Sequence, residues 1–332
     1  MIAFFSWLAF ADEPVAVELP ALVPEEARIV PMSGSDLVDE AWRRIDLRDY
    51  EGARIVAEQA RSRGDEAKVR ATVALGAAWE LDGEPSKALP LYGEARVAGV
   101  EGDLAEHVTF RVAECHAALG QFAEAFTELE KLGDPDARPY LDAKKLHLLR
   151  GTWLLESGER EAGQAELAGA LDGIGSDEVT WYQARARAAV ATDLCEQANA
   201  VPFPEKDKKL VKALKARTAL ILAAEAQVVA ALGLKEPEWG LQGLLVLGLA
   251  YEHVADDLLA VPVPKKLKTD EQRAMYAEGV KAKVDALYVK SSRYLGEGLD
   301  AATRLSWTGP RVAKLQEAHA AVLAKVAPTR AP

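Results

Sequence analysis

Apolar and small residues recur at helical intervals along most of this chain, in blocks separated by short polar turns. In LGAAWELDGEPSKALPLYGEA, residues 75–95, Leu75, Gly76 and Trp79 share one stripe before Asp82-Gly83, and Ala88, Tyr92 and Ala95 share another after it. That pattern predicts two amphipathic helices joined by a tight turn. Small residues on both stripes let the two backbones approach closely, and Trp79 is expected to be buried between Ala88 and Tyr92. The block then repeats. Aligned on the small residue of the second helix, Ala53, Ala88, Ala125 and Gly163 follow one another at steps of 35, 37 and 38 residues. Twelve positions before each stands another small residue, Ala41, Gly76, Ala113 or Gly151, and a turn glycine recurs at Gly83, Gly120 and Gly158. Self-similarity at this period is the mark of a helical solenoid.

Prolines and caps divide the rest. Pro14, Pro20, Pro24 and Pro31 lie among acidic residues and predict an extended linker over 12–34, with Ser35 or Asp36 capping the first helix. Pro90 sits inside the second helix of its block, where a kink is expected. Farther on, AVPFP (200–204) and AVPVP (260–264) repeat at an offset of 60 residues, each a loop between long helices. Thr269 is placed to cap a very long helix running to about Leu305, and Thr308-Gly309-Pro310 to start a last one with proline in its first turn.

Leu75-Gly76-x2-Trp79, Ala88, Tyr92 and Ala95 resemble the W-x2-L-G-x2-Y…A…F…A pattern of the tetratricopeptide repeat family, and Leu247-Gly248-x2-Tyr251 resembles its first half again. The resemblance implies an all-α, right-handed superhelical solenoid of about six helical hairpins with a C-terminal capping helix. Four repeats would fill 35–175, and 176–332 would hold two longer hairpins with P-x-P loops and a terminal helix. The loop style is similar to that of repeat proteins in the envelope of myxobacteria-like bacteria, including gliding-motility types. Within the block pattern, His147 and Arg150 stand where apolar residues are expected.

Composition narrows the function. A net charge of −12 and a pI near 5.1 argue against nucleic acid, which needs a cationic footprint. IAFFSWLAFA (2–11) ends in the A-x-A sequence Ala9-Phe10-Ala11 and reads as a signal peptide spanning 1–11. That predicts a periplasmic or secreted protein; the cytoplasm is the alternative if the segment is not a signal. No other apolar run looks long enough to cross a bilayer. Two cysteines, Cys115 and Cys195, fall on apolar positions and predict buried free thiols rather than a disulfide framework or zinc site.

No phosphate loop, H-E-x-x-H or G-x-S-x-G motif occurs, and no cofactor or metal is called for. What a solenoid offers is a groove lined by the first helix of each unit. Arg70, His107 and Lys145 occupy equivalent positions there and would form a basic row, with Arg111 beside it and Trp42, Val73 and Phe110 as apolar neighbours. Such a surface suits a protein or peptide partner of acidic character. The carboxylate clamp of some tetratricopeptide proteins is excluded, because of the positions Val38, Trp42, Ala74, His107 and Arg111 only the last matches it. A second basic set, Lys208, Lys209, Lys212 and Lys215 after the first P-x-P and Lys265, Lys266 and Lys268 after the second, is placed to touch an anionic envelope surface. The sequence therefore predicts a non-enzymatic scaffold in a bacterial envelope complex; the alternatives are an envelope hydrolase or its regulatory subunit, and a cytoplasmic assembly factor.

Overall fold

A computed structural model describes residues 32–133, 143–172, 177–204 and 207–326. Residues 1–11, read as a signal peptide, and most of the 12–34 segment read as a linker lie outside the described residues. Among the described residues there are thirteen helices and no strand. The chain forms two compact units, Met1–Val100 and Glu101–Pro332. The first holds α1 (Gly34–Asp46), α2 (Tyr50–Arg61), α3 (Asp65–Leu81) and α4 (Pro85–Val97). The second holds α5 (Gly102–Ala118), α6 (Phe122–Lys131), α7 (Ala143–Glu156), α8 (Arg160–Ala170), α9 (Asp177–Ala200), α10 (Asp207–Gly233), α11 (Pro237–Ala260), α12 (Asp270–Arg304) and α13 (Pro310–Val326). Within each unit helices pack mainly against their neighbours in sequence and against the helix two further on, as α7 does with α8 and α9.

The helix ends follow from their capping chemistry. α1 starts earlier than Ser35 or Asp36 would place it. Ser33 is the cap, with its hydroxyl accepting from the Asp36 N–H while the Asp36 carboxylate accepts from the Ser33 N–H at 3.0 Å. Thr269 caps α12 as expected, in a second capping box with Gln272, and Leu305 is its C-cap. Pro310 opens α13, where its missing N–H costs nothing. α4 runs through Pro90 without a break, and Pro90 is exposed, so the ring is accommodated on the solvent side.

The tight turns show why the repeat is regular. In the α1–α2, α3–α4, α5–α6 and α7–α8 turns, the residue two places before the second helix has positive φ: Arg48, Gly83, Gly120 and Gly158. The following N–H then reaches back five residues, as Glu84 N–H does to the Trp79 carbonyl at 2.9 Å and Gln121 N–H to the His116 carbonyl at 2.9 Å. This is the Schellman closure, which needs one left-handed residue. Lys235 before α11 and Ser306 before α13 take the same conformation. The second small residue of each block, Ala53, Ala88, Ala125 or Gly163, donates the first hydrogen bond of the second helix. Its side must stay small because the first helix lies against it: a Cβ on Gly163 would sit 2.9 Å from the Gly151 carbonyl oxygen.

The other small position receives a large side chain from the partner helix. A Cβ on Gly76 would fall 2.8 Å from the Tyr92 ring, and one on Gly151 2.6 Å from Leu167. Tyr92 is thus the buried aromatic of its hairpin, and its hydroxyl donates to Glu80 at 2.7 Å. Trp79, expected to be buried, is half-exposed instead. Its ring lies under the Arg54 guanidinium at 4.1 Å and the Lys87 ammonium at 4.4 Å, because Tyr92 has filled the space over Gly76.

The longer hairpins of the second unit meet at the P-x-P loops. Arg217, almost fully buried, donates to the Val201 carbonyl at 2.7 Å and the Asp257 carboxylate at 2.6 Å, and stacks 3.9 Å over Phe203. It thereby ties the first P-x-P loop and the C-terminal ends of α9 and α11 to one end of α10. Near mid-helix, Glu225 accepts from the Tyr251 hydroxyl at 2.6 Å, the Tyr294 hydroxyl at 2.7 Å and Lys290 at 2.6 Å, joining α10, α11 and α12. Cys115 and Cys195 are buried free thiols, as expected. The unit boundary at Val100 falls inside the segment read as four repeats, and α9 packs on both α7 and α11, so the helix stack continues across residue 175.

A left-handed conformation costs an ordinary residue roughly 1–2 kcal/mol, part of which glycine gives back through its freer unfolded chain. Lys235→Gly should therefore raise stability by about 0.5–1 kcal/mol in urea unfolding followed by circular dichroism. Gly120→Ala should lower it by about 1 kcal/mol. Equal effects at the two sites would refute the shared turn geometry.

Candidate functional site

In the second unit the first helices of successive hairpins bring aromatic rings and cations into one strip. Phe110 of α5 meets Tyr182 of α9 edge to face, with centroids 6.2 Å apart. Lys145 of α7 lies over both rings, 4.1 Å from Phe110 and 4.6 Å from Tyr182. Next along α9, Trp181 contacts Tyr182 at 4.9 Å and Trp239 of α11 at 5.2 Å, again with T-shaped geometry. Arg185 faces both indoles, at 5.9 and 5.5 Å, and Arg311 of α13 covers Trp239 at 4.6 Å. Trp181, Tyr182, Trp239 and Lys145 are all half-buried, so each ring keeps an accessible part.

The arginines of this strip are fixed by carboxylates on their own side: Arg111 by Glu114 at 2.8 Å, Arg185 by Glu156 at 3.3 Å, and Arg311 by Glu238. The Arg185 and Arg311 pairs, partly exposed, contribute little to stability, but they hold each guanidinium in place against a ring, while the Arg111–Glu114 pair is largely buried. Cation and ring are also attracted directly, by about 0.5–2 kcal/mol according to exposure.

Of the residues singled out in sequence, the structure gathers His107, Phe110, Arg111 and Lys145 here. Two of the seven are corrected. Val73 is fully buried in α3 and lines no surface, since it falls on a run of buried residues from Ala71 to Ala78. Phe110 is 3% exposed and belongs to the core with Leu146, Leu149 and Trp153, so it supports Lys145 rather than anchoring a ligand. The basic row is also corrected. Burial, reinforced by the charges of Arg111 and Lys145, pushes the His107 imidazole down to about 4, so it is neutral at pH 7. Trp42 and Arg70 belong to the other unit. There Trp42 packs half-buried against the α1–α2–α3 core, and Arg70 is an exposed partner of Asp39 at 3.1 Å. Arg70 also lines a cleft of about 590 Å³ with Ser33, Gly34, Ser35, Arg63, Gly64 and Ala67.

The second basic set is exposed: Lys208, Lys209, Lys212 and Lys215 on α10, and Lys265, Lys266 and Lys268 in the loop before α12. By length and composition alone α10, with a mean hydropathy of 1.4 over its best stretch, meets the measure of a membrane-crossing helix, a measure that core helices of other folds also meet. Arg217 and Glu225 interrupt its apolar run, and both are held by partners inside the protein.

Trp181, Tyr182, Arg185, Trp239 and Arg311 were missed in the sequence. They lie in the longer hairpins and the terminal helix, beyond the blocks whose spacing numbers the groove positions. Among the described residues, no group of three or more His, Cys, Asp or Glu side chains is arranged to hold a metal ion. No protein-family model and no curated protein matches the chain.

Because the folded protein disfavours the charged imidazole, it binds fewer protons than the unfolded chain between the unfolded value, near 6.5, and about 4. His107 should therefore show no titration between pH 5 and 8 by NMR, and it should draw down stability only as pH falls through that window. Replacing Lys145 by Met removes a neighbouring positive charge and should move the His107 titration upward. A His107 pKa near 6.5 in the unaltered protein would place the ring in water and break the strip apart.

Proposed function

We propose that the chain is a non-enzymatic interaction scaffold of tetratricopeptide type. In this reading it is a right-handed superhelix of about six hairpins capped by α13, and it holds an extended acidic peptide segment on the aromatic and cationic strip of the second unit. The observation that carries the reading is that strip. Trp, Tyr and Arg are the residues that dominate binding energy where they cluster, and here five of them, from α9, α11 and α13, lie in contact with one another. The indole and phenol faces would take apolar side chains of the ligand. Its carboxylates would share Arg185 and Arg311 with Glu156 and Glu238, and would meet Lys145, whose charge is already braced by two rings. Residues 2–11 support placing this scaffold in a bacterial envelope, where it would be periplasmic or secreted, and no cofactor enters the reading.

Two matched peptide series test it. Labelled peptides alternating Phe or Leu with Glu should bind in fluorescence anisotropy, while the same peptides with Lys in place of Glu should bind at least tenfold more weakly. Trp239→Ala should weaken the acidic series by about 2 kcal/mol, or roughly thirtyfold. Lys145→Glu should reduce the preference for Glu over Lys, with the helical content of both variants unchanged. Equal binding of the two series, or binding unaffected by both substitutions, refutes the proposal.

A further inference from the structure

We propose that the lysine-bearing end and outer face of α10 dock on an anionic lipid bilayer. The inference is independent of the peptide strip and goes beyond it. α10 is strongly two-sided. Ala213, Arg217, Ile221, Ala224, Val228 and Ala231 form a buried stripe toward α9 and α11. On the opposite side Val211, Leu222 and Val229 are 53%, 52% and 49% exposed, with exposed Thr218, Ala219, Ala223 and Ala226 between them. After Lys215 no charged residue of α10 is exposed. A surface helix of a water-soluble unit ordinarily carries its charges on that side.

The charges are instead collected at one end. Lys208, Lys209, Lys212 and Lys215 occupy the first turns of α10, around exposed Val211, and none has a carboxylate partner among the described residues. They stand where the helix dipole disfavours cations. Arg217 brings the C-terminal end of α11 to the same place through Asp257, so the loop carrying Lys265, Lys266 and Lys268 leaves from this end too, with Leu259 and Val263 exposed beside it. Of the acids at this end, Asp257 pairs with Arg217, Asp256 with Lys325 and Tyr288, and Asp270 with Arg273 at 3.6 Å, while Glu196 near the end of α9 and Glu271 at the start of α12 are exposed and Asp207 is the first residue of α10, so the four lysines outnumber the acids beside them. In a protein of net charge −12, a lysine cluster beside bare Val and Leu side chains is complementary to one kind of surface, phosphate headgroups over an acyl interior.

The geometry disfavours two other arrangements. A second copy laid parallel along α10 would set the lysine cluster against itself. Laid antiparallel about Leu222, it would set Lys208 and Lys209 against Lys235, also a cation. Insertion across the bilayer would require stripping α10 from α9, α11 and α12, and would expose Arg217 and Glu225, which now have partners. The helix therefore lies on the membrane, with its outer stripe in the interface.

The test is flotation of the full chain with vesicles of pure phosphatidylcholine and of phosphatidylcholine with 30% phosphatidylglycerol, at low and high salt. Binding to the anionic vesicles and not the neutral ones, reduced by salt, is expected. Reversing Lys208, Lys209, Lys212 and Lys215 to Glu should lower the partition coefficient at least a hundredfold, because each lysine near such a surface adds its own attraction and each glutamate is repelled. Leu222→Asp with Val229→Asp, at exposed positions where the fold should survive, should lower it at least tenfold at unchanged lysine charge, and circular dichroism checks that both variants remain helical. No binding to the anionic vesicles overturns the proposal. So does binding indifferent to either variant. Light scattering that shows a dimer broken by Leu222→Asp, without vesicle binding, assigns the face to a second copy and overturns it as well.

Discussion

Two α-helices joined by a turn of two or three residues must start their contact almost at the turn itself, before side chains have room to spread. The rest of this structure depends on how that crowding is relieved. At the fourth position of each second helix the backbone N–H closes the first helical hydrogen bond, and the side there faces the preceding helix at near-contact distance. Ala53, Ala88, Ala125 and Gly163 answer that geometry with one methyl group or none. One turn deeper, Gly76 and Gly151 make room for Tyr92 and Leu167. The α3–α4 and α7–α8 hairpins are therefore wedge-shaped, narrow at the turn and wider where the large side chain enters. Repeating the wedge in series is what lets every helix bury a face against its neighbours.

In the second unit the hairpins lengthen, and small-residue packing no longer suffices. Polar groups take over part of the task. Burial alone would push Glu225 up, yet Lys290 and the hydroxyls of Tyr251 and Tyr294 outweigh it and hold its carboxyl below the usual range. Its contribution is complete above the unfolded value near 4.5 and declines as pH falls through the folded one. Tyr251 and Tyr294 stack at 5.8 Å and share this one acceptor, so α10, α11 and α12 are registered to each other at a single point. Arg217 does the same at the P-x-P end. Removing one partner of such a cluster leaves the others desolvated and unmatched, which costs more than the contact itself supplies.

These devices explain how much of the molecule can be read from its sequence. The Thr269 cap, the start at Pro310 and the turn glycines at 83, 120 and 158 are legible, because each is a residue whose local chemistry permits few conformations. Arg48, Lys235 and Ser306 hide the same turn, since tertiary closure imposes positive φ on residues that do not advertise it. Ser33 was passed over for Ser35 because both fit a cap, and only the reciprocal bond to Asp36 decides between them. Side-chain direction was the least legible property. Phe110 lies one residue, about 100° of helix rotation, from part-exposed Thr109 and Arg111, which a drifting repeat of 35 to 38 residues does not fix, and Val73 falls in a run of α3 buried on every side. Arg217 follows two residues after the last of the α10 lysines, yet it occupies the stripe of Ala213, Ile221 and Ala224, and that periodicity is the available signal of its burial.

The two surfaces proposed in the second unit would work by different physics, and the difference lies in how their cations are held. On the aromatic strip Arg185 and Arg311 are pinned between a ring and a carboxylate, so much of their rotamer entropy is already lost before any ligand arrives. That suits short-range recognition, in which fit matters more than charge, and salt should weaken it only modestly. The α10 lysines have neither ring nor carboxylate beside them among the described residues. Their long stems remain free, and their attraction for an anionic surface acts over a Debye length, about 8 Å at physiological ionic strength. They favour orientation over discrimination, setting which end of the unit faces the surface before Val211, Leu222 and Val229 make contact. Preorganised cations give selectivity and mobile ones give capture. A scaffold that must hold one partner while resting on a membrane needs both kinds, on separate faces.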